Sequence, residues 1–428
     1  MQNLRIDAQR LWDTLIATAK FGGTTKGGIC RLTLSNEDRQ VRDWFKAAAE
    51  AIGCSVTVDE VGNMFARRAG RRIEGLAPIC MGSHLDTQPT GGKFDGVLGV
   101  MGALEVMRTL HEAGFETNAP LEIVNWTNEE GSRFAPSMLA SGVFAGVFTP
   151  EYACAREDRE GKTFGDELDR IGYRGAEKAG GHKLGAMFEL HIEQGPILED
   201  EGKTIGVVTG AQGIRWYEIT VFGQAAHTGT TPMHKRRNAL LGAARLVDAI
   251  DALALQFAPH AVATVGLIEN RPNSRNVIPG EVFFTVDLRH PDDDVLEQME
   301  VKLKALLPTV LDSLKLTYEE RRIWTSPAVR FDPRLLECIR RAAEKACYAT
   351  RDMVSGAGHD AVYVARVAPT AMIFVPCLNG ISHNEAESAT LADCAAGAQV
   401  LLNAVLEFDR GLLPSDSCGD RGTAPIAR

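Results

Sequence analysis

One short segment combines residue types that could bind a metal ion. His84 and Asp86 lie within Gly82–Thr87, directly after an apolar run typical of a buried strand, and Asp95 follows eleven residues after His84. Alternate residues of a strand share a face, so His84 and Asp86 could point together into a crevice at the strand's end. Turn-forming residues in 88–93 could return the chain and bring Asp95 to His84. A helix N-cap aspartate beside a hydrogen-bonded histidine is the structural alternative.

Two adjacent carboxylates follow the next predicted strand. The apolar strand 121–126 leads into Glu129 and Glu130. Neighbouring residues point in different directions, so one glutamate could bind a metal while the other stays free as a base. A solvated turn is the structural alternative. We expect this strand to lie beside the strand that precedes His84, which would place both sets of side chains at one edge of a sheet.

Two further histidines occur near the ends of predicted strands. The segment 187–194 alternates and sets His191 on its polar face, and His383 follows the strand 370–375. A polar face on an internal strand needs partners, which a metal could supply to His191. A hydrogen-bonded core histidine is the structural alternative. The histidines and carboxylates together form a nitrogen and oxygen donor set that suits Zn²⁺, Mn²⁺, Ni²⁺ or Co²⁺.

The elements that must position these residues predict an α/β fold with two domains. Residues 1–213 and 331–413 form a catalytic domain with a mixed sheet and helices on both faces. From residue 214 the hydrophobic pattern changes, and residues 214–330 predict an inserted, smaller α+β domain, an antiparallel sheet with two helices on one face. Its predicted strands include 261–268 and 281–289, and alternation along 281–289 places Arg289 on the face opposite the packed apolar residues. The segment 153–181 is polar and is expected to run over the surface. The tail 414–428 is turn-rich and is expected to be disordered.

Composition excludes several classes of partner. The chain has 428 residues, of which 45% are hydrophobic and 24% charged, as in ordinary globular proteins. A net charge of −10 with no long basic run argues against nucleic acid and anionic membranes as partners. No signal-peptide core and no apolar run of membrane-spanning length is present. Nine cysteines without a Cys-x-x-Cys pair favour reduced thiols, and hence a cytoplasmic location.

Five motifs spaced along the chain resemble those of the hydantoinase/carbamoylase branch of the M20 metallopeptidase clan. They are Gly82–Thr87, Asn128–Gly131, Glu189–Gly195, Ala226–Pro232 and Ser382–Glu385. That branch contains N-carbamoyl-L-amino acid hydrolases, β-ureidopropionases and allantoate amidohydrolases. The motifs stand in family order and cover most of the chain. His191 occupies a position where the clan's peptidases usually have a carboxylate, which points to the carbamoylase branch.

The resemblance implies two divalent metal ions, with Zn²⁺ as the first expectation and Mn²⁺, Ni²⁺ or Co²⁺ as alternatives. It gives Asp95 the role of a bridging ligand. His84 and His191 would complete one metal site, and Glu130 and His383 the other.

The resemblance also assigns residues to catalysis and substrate binding. Glu129 resembles the general base, and Asp86 the carboxylate that orients His84. His227 resembles a lid-domain histidine that stabilises the oxyanion, in relatives often in the neighbouring subunit's site. Asn276 and Arg289 match a pair that holds the substrate carboxylate. A loop glycine that touches the carbamoyl group corresponds to Gly358. The family's lid also forms a homodimer interface.

The function that follows from the resemblance is hydrolysis of an N-carbamoyl amino acid to the amino acid, ammonia and CO₂. Allantoate amidohydrolase is the main alternative, since it shares every motif. A peptidase or aminoacylase is disfavoured by His191. A catalytically silent metal-binding scaffold would be expected to lack the base, yet Glu129 is present. The sequence does not distinguish N-carbamoyl-α-amino acids from N-carbamoyl-β-amino acids as substrates. It does not indicate the stereospecificity either.

Overall fold

The computed structural model describes residues 4–71 and 75–412, so the predicted tail 414–428 lies outside the described residues. The strands are β1 (Ser55–Val58), β2 (Met64–Arg68), β3 (Ile79–His84), β4 (Leu121–Trp126), β5 (Ala186–Ile192), β6 (Ile205–Ala211), β7 (Gly213–Phe222), β8 (Ala226–His227), β9 (Val262–Thr264), β10 (Ile268–Arg271), β11 (Val277–Ile278), β12 (Glu281–His290), β13 (Thr317–Ser326), β14 (Val329–Arg330), β15 (Thr350–Ser355) and β16 (Thr370–Val375). The α-helices are α1 (Ala8–Thr18), α2 (Asn36–Glu50), α3 (Val97–Glu112), α4 (Leu139–Phe144), α5 (Pro150–Cys154), α6 (Phe164–Arg170), α7 (Ile197–Asp200), α8 (Ala239–Leu255), α9 (Asp293–Leu311), α10 (Pro333–Lys345), α11 (Asp360–Val364) and α12 (Leu391–Gly411).

The chain forms two compact units. The first takes the described residues up to Thr209, then Phe331–Met353 and the described residues from His359 onwards. The second takes Gly210–Arg330 and Val354–Gly358.

The first unit is built on a mixed sheet in the order β1-β2-β4-β3-β5-β16-β6. Its four central strands β4, β3, β5 and β16 are parallel, and the pairs β1–β2, β2–β4 and β16–β6 are antiparallel. The central strands are buried along their whole length, as expected of parallel strands covered on both faces. The predicted neighbour relation between the strands before His84 and Glu129 is therefore correct. All four parallel strands end at the same edge.

Helices cover both faces of this sheet, which confirms the predicted mixed α/β fold. On one face, α12 packs against α1, α3 and α10, and Leu190 of β5 contacts Gly102 and Gly397 in two of these helices. On the other face, Met187 of β5 joins a buried cluster with Phe144 of α4. Met187 and Leu190 lie an odd number of positions apart and therefore face opposite sides of the sheet, as the period of two requires.

One described helix, α12, is long and apolar enough to cross a membrane by length and composition alone. More than half of its apolar window is buried in the structure. It packs against three other helices, which is the arrangement of a core helix. The cysteines in the described part of the chain are free thiols.

The second unit contains a five-stranded antiparallel sheet in the order β10-β12-β7-β13, with β9 also paired to β12. Its buried and partly exposed residues alternate along β7 and β12. The buried set, which includes Tyr217, Ile219 and Phe284, packs against Leu246 of α8 and Leu303 of α9. The predicted antiparallel sheet with two helices is therefore present. Separately, β8 pairs with β11.

Two local predictions differ from the structure. The segment predicted as one strand over 261–268 is split into β9 and β10, which pair with different parts of β12 on either side of Gly266. A glycine within a strand pattern commonly marks such an interruption. The polar segment 153–181 is not confined to the surface, because α6 buries Phe164 and Leu168 completely. These apolar residues lie four apart on one face of the helix.

Candidate active site

The candidate site lies where the parallel strands of the first unit end. His84 is the last residue of β3, and His191 lies one residue before the end of β5. Trp126, the last residue of β4, pairs in register with His84, so the chain after β4 brings Glu129 and Glu130 to the same edge. Ligands bind at this edge of open α/β sheets, because loops from several strands converge there.

Two groups of potential metal ligands meet at Asp95. In the first group, Asp95 Oδ1 lies 3.1 Å from His191 Nε2 and 3.6 Å from His84 Nε2. In the second, Asp95 Oδ2 lies 3.4 Å from His383 Nε2, which is also 3.4 Å from Glu130 Oε2. Each group offers three donor atoms within 4.8 Å of one another. The two oxygens of Asp95 thus face different groups, which is the arrangement of a bridging carboxylate.

The protonation of the histidines fits a metal centre. His84 Nδ1 lies 2.9 Å from the backbone oxygen of Asp86, and His191 Nδ1 lies 2.9 Å from that of Ile192. A carbonyl can only accept, so each Nδ1 carries a proton, and in the neutral ring each Nε2 keeps a lone pair that can bind a cation. The Nε2 of His191 also lies 3.1 Å from the Gly96 N–H, which donates to it in the neutral ring. His84 Nε2 is buried without a hydrogen-bond partner among the described residues. A cation would satisfy this atom, so the donor set fits divalent metal ions.

The pKa values of His191 and Asp95 also indicate that the site favours a positive charge. Burial lowers the pKa of His191, yet its hydrogen bond and charge interaction with Asp95 raise the value to about 9. For Asp95, burial raises the pKa, but His191, His84 and His383 lower it well below its usual range. The same negative potential that would hold a proton on His191 would hold a metal ion.

Gly96 makes room for the His84 ring. Its φ of +66° is in the left-handed region, and a Cβ there would lie 2.3 Å from Cε1 and Nε2 of His84. A side chain at this position would therefore both strain the backbone and displace the ring. Glycine at the start of α3 thus shapes the pocket in which His84 and Asp95 approach each other.

Glu129 lies beside the first group of ligands. Its Oε2 is 3.5 Å from His84 Nε2, and the residue is 7% exposed. Burial raises the pKa of Glu129 well above its ordinary value, followed by the charges of Asp360 and Glu130. A buried carboxylate of this kind is a stronger base than one in water.

Asp86 holds the backbone of the two glutamates. Its carboxylate accepts the N–H groups of Glu129 and Glu130, each at 3.3 Å. The family resemblance implied that this carboxylate orients His84, but its Oδ1 is 3.8 Å from His84 Nδ1, and the backbone oxygen of Asp86 takes the hydrogen bond instead.

Several residues around the ligands were not singled out by the sequence. Gln194 Nε2 donates to Asp95 Oδ2 at 2.8 Å. Glu189 accepts from the Ser83 hydroxyl at 2.6 Å and from a backbone N–H at 3.1 Å. His359 lies against His191 with ring centroids 4.6 Å apart. Gln194 and Glu189 fall within a recognised motif, so the motif could have pointed to them, but their partners come from other strands.

Glu387 is a further residue near the ligands that the sequence did not identify. It is 5% exposed and accepts the backbone N–H groups of Phe94 and Asp95, at 2.9 and 3.1 Å. Burial, followed by the charge of Asp95, raises the pKa of Glu387 to about 7. Its position four residues after His383 carries no recognisable signal.

The remaining predicted site residues belong to the second unit. His227 is exposed, and its Nδ1 accepts from the N–H groups of Gly229 at 3.0 Å and Thr230 at 3.3 Å. Its Nε2 must therefore carry the proton and can donate outwards. The backbone oxygen of Asn276 accepts from the Thr228 N–H at 3.2 Å, next to His227.

Arg289 lies in a cavity of the second unit of about 680 Å³ that also includes Trp216 and Gly356. It lies on the face of β12 away from the helices, as the alternation predicted. Its guanidinium is paired with Asp287, with Nη2 2.7 Å from Oδ2, and Nη1 donates to the oxygen of Gly356 at 2.8 Å. Gly358 follows in the same loop, partly exposed.

Comparison with known proteins agrees with this geometry. Residues 80–407 match the family model described as Peptidase family M20/M25/M40. An N-carbamoyl-L-amino-acid amidohydrolase from Rhizobium meliloti is 52% identical over 95% of this chain and 97% of its own. An allantoate amidohydrolase from Escherichia coli is 34% identical over 92% and 96%. The crystal structure of a hydantoinase/carbamoylase family amidase from Burkholderia multivorans is 57% identical, with a TM-score of 0.91 and coverage of 94% and 98%. The chain belongs to the metal-dependent peptidase family M20/M25/M40 and, within it, to the hydantoinase/carbamoylase amidases.

Proposed function

We propose that this protein hydrolyses N-carbamoyl-L-amino acids, consuming one water and releasing the amino acid, ammonia and CO₂. The observation that carries the proposal is that the two oxygens of Asp95 face two groups of potential metal ligands, with Glu129 beside the first group. The substrate class is taken from the relative that is 52% identical over nearly its whole length. N-Carbamoyl-β-alanine is a substrate to be tested beside the α-amino acids.

The metal centre would be held by His84, His191, Asp95, Glu130 and His383, with Zn²⁺ as the first candidate. When bound, divalent ions there supply Lewis acidity, which polarises a carbonyl and makes water more acidic. The chain's own contribution is the base. Glu129 would accept the proton of the attacking water and return it to the leaving nitrogen, and Asp86 would hold Glu129 in place through its backbone.

Residues of the second unit would bind the substrate. His227, with its proton on Nε2, would donate to the oxyanion that develops on the carbamoyl carbon. The backbone at Gly358 would contact the carbamoyl group, and Asn276 would share the substrate carboxylate with Arg289. In this proposal residues 214–330 act as a lid on the catalytic domain, formed by residues 1–213 and 331–413.

Arg289 retains donors for a carboxylate. A guanidinium has five N–H donors, and the structure uses three, two towards Asp287 and one towards Gly356. The two that are left belong to Nη1 and Nη2, which can grip one carboxylate through two parallel bonds. Asp287 would fix the plane of the group in advance.

Replacing Arg289 with lysine should therefore lower kcat/KM for an N-carbamoyl-L-amino acid by about thirty- to a thousandfold, or roughly 2–4 kcal/mol. An ammonium cannot reproduce the paired contact. The measurement is steady-state kinetics on the acid and on the corresponding amide, which has no carboxylate. The loss should be much smaller for the amide. Equal losses on both substrates would mean that Arg289 only stabilises the sheet through Asp287.

We also propose a homodimer formed through residues 214–330. Exposed apolar side chains on the helices of the second unit support it, since Leu255 of α8 is 71% exposed and Val301 of α9 is 59% exposed. Contiguous exposed apolar surface commonly marks an interface, and α8 and α9 pack against each other.

We also keep the cytoplasmic location, predicted from the cysteines, as part of the proposal.

The dimer prediction can be tested by introducing charge. The double variant Leu255→Asp/Val301→Asp should sediment as a monomer in analytical ultracentrifugation, because two buried carboxylates without partners would oppose association. Deletion of residues 214–330 should also leave a monomer. Val367→Asp, at a residue 51% exposed in the first unit, is the matched control and should leave the dimer intact. A dimer that survives both changes would contradict the proposed interface.

A further inference from the structure

Glu387 joins the loops that carry Asp95 and His383, two of the three ligands in the second group. Its Oε1 accepts the N–H groups of Phe94 and Asp95 at 2.9 and 3.1 Å, and its Oε2 accepts the Ser382 hydroxyl at 3.0 Å. One buried carboxylate thus contacts the backbone of Asp95 and the residue directly before His383.

The loop of His383 needs such an anchor. The His383 side chain is 52% exposed, so packing holds it only in part, and its φ of +55° is in the left-handed region. Its Nε2 must nevertheless stay 3.4 Å from both Asp95 Oδ2 and Glu130 Oε2. The Ser382 hydroxyl lies 2.7 Å from Asp95 Oδ2 and 3.0 Å from Glu387 Oε2, so its one proton can be donated to either carboxylate.

The chain is also shaped to admit this carboxylate. A Cβ on Gly92 would lie 2.1 Å from Cδ and Oε1 of Glu387, well inside van der Waals contact. Any side chain at residue 92 would therefore push Glu387 away from Phe94 and Asp95. The glycine is a second observation, independent of the hydrogen bonds, that this approach is built into the fold.

We propose that Glu387 is a positioning residue, which holds the His383 loop against Asp95 so that Asp95, Glu130 and His383 keep the spacing of a metal site. The inference rests on the metal centre of the proposed function. Groups that orient metal ligands by hydrogen bonds typically change metal affinity about 10–100-fold when removed. The expected effect is selective, because His84 and His191 have their own backbone partners.

The test is titration of Co²⁺ into the metal-free full-length protein, followed by calorimetry and visible absorption. The wild type should bind two equivalents. Glu387→Ala should bind one equivalent as the wild type does and the other about 10–100-fold more weakly. Glu387→Gln should stay within about threefold of the wild type, since its amide oxygen can accept both backbone N–H groups and its NH₂ can donate to Ser382.

Two further variants separate positioning from general destabilisation. Asp409 is a buried carboxylate of the same unit that also accepts two backbone N–H groups, from Asn118 and Ala119, without contact to the ligands. Asp409→Ala should therefore bind both equivalents of Co²⁺ normally. Gly92→Ala should reproduce the selective loss with Glu387 unchanged, and it keeps the test decisive where Glu387→Ala does not fold.

Three results would overturn the inference. These are normal binding of both Co²⁺ equivalents by folded Glu387→Ala or Gly92→Ala, equal losses in the Gln and Ala variants, or the same loss in Asp409→Ala. The titration does not measure turnover. If the wild type binds two equivalents and Glu387→Ala loses one, the positioning role holds even where no N-carbamoyl substrate is hydrolysed.

Discussion

Glu129→Gln is expected to lower kcat by about 10²–10⁴-fold while the metal content stays near that of the wild type. The amide has nearly the shape of the carboxylate but cannot accept a proton from water. Glu129 lies near His84 Nε2 but belongs to neither of the two groups that meet at Asp95. Its loss should therefore remove the base and leave the ligands in place. The measurement combines steady-state kinetics with metal analysis of the purified variant.

The neighbouring glutamate is the matched control. Glu130→Gln removes a carboxylate of the same length one residue away, whose Oε2 lies 3.4 Å from His383 Nε2. We expect this variant to lose metal as well as activity. If metal content collapses in Glu129→Gln and not in Glu130→Gln, the roles of the two glutamates are reversed.

Removal of divalent metal should lower turnover to below about 1% of the wild-type rate, because the Lewis acidity of the ions contributes several kcal/mol to transition-state stabilisation. The protein is treated with a strong chelator, and metal analysis verifies that the metal has been removed. Activity is then measured before and after adding Zn²⁺, Mn²⁺, Co²⁺ or Ni²⁺. Reconstitution should restore activity, and the relative rates would rank the candidate metals.

The variant Asp95→Asn gives the corresponding control. The amide removes the negative charge of Asp95, whose two oxygens face the two groups of ligands. Added metal should therefore fail to restore the activity of this variant. Full turnover by wild-type protein from which metal has verifiably been removed would contradict a metal-dependent mechanism.

Much of the fold follows from local patterns in the sequence. The apolar runs before His84 and Glu129 predicted adjacent buried strands, and the alternation along 281–289 predicted the buried face of β12. Caps such as Ser35, which accepts from the Asp38 N–H, mark helix starts with short-range chemistry. Where a strand is interrupted, as at Gly266, the outcome depends on pairing with a distant partner, which local patterns do not contain.

The site was only partly predictable for a similar reason. Motifs pointed to His84 and Asp95, but which atom of Asp86 reaches the His84 ring depends on the detailed course of the chain after β3. Glu387 acts on Phe94 and Asp95 from almost 300 residues away in sequence. Likewise, the alternation along β12 shows that Asp287 and Arg289 lie on the same face. It does not show that their side chains form a hydrogen bond.

The most direct test of the central claim is the release of ammonia and free amino acid from a panel of N-carbamoyl-L-methionine, N-carbamoyl-D-methionine, N-carbamoyl-β-alanine and allantoate. We expect the highest kcat/KM on N-carbamoyl-L-methionine, with one ammonia and one amino acid formed per substrate and no such activity in Glu129→Gln. Hydrolysis of allantoate with the N-carbamoyl amino acids untouched would contradict the proposed substrate class.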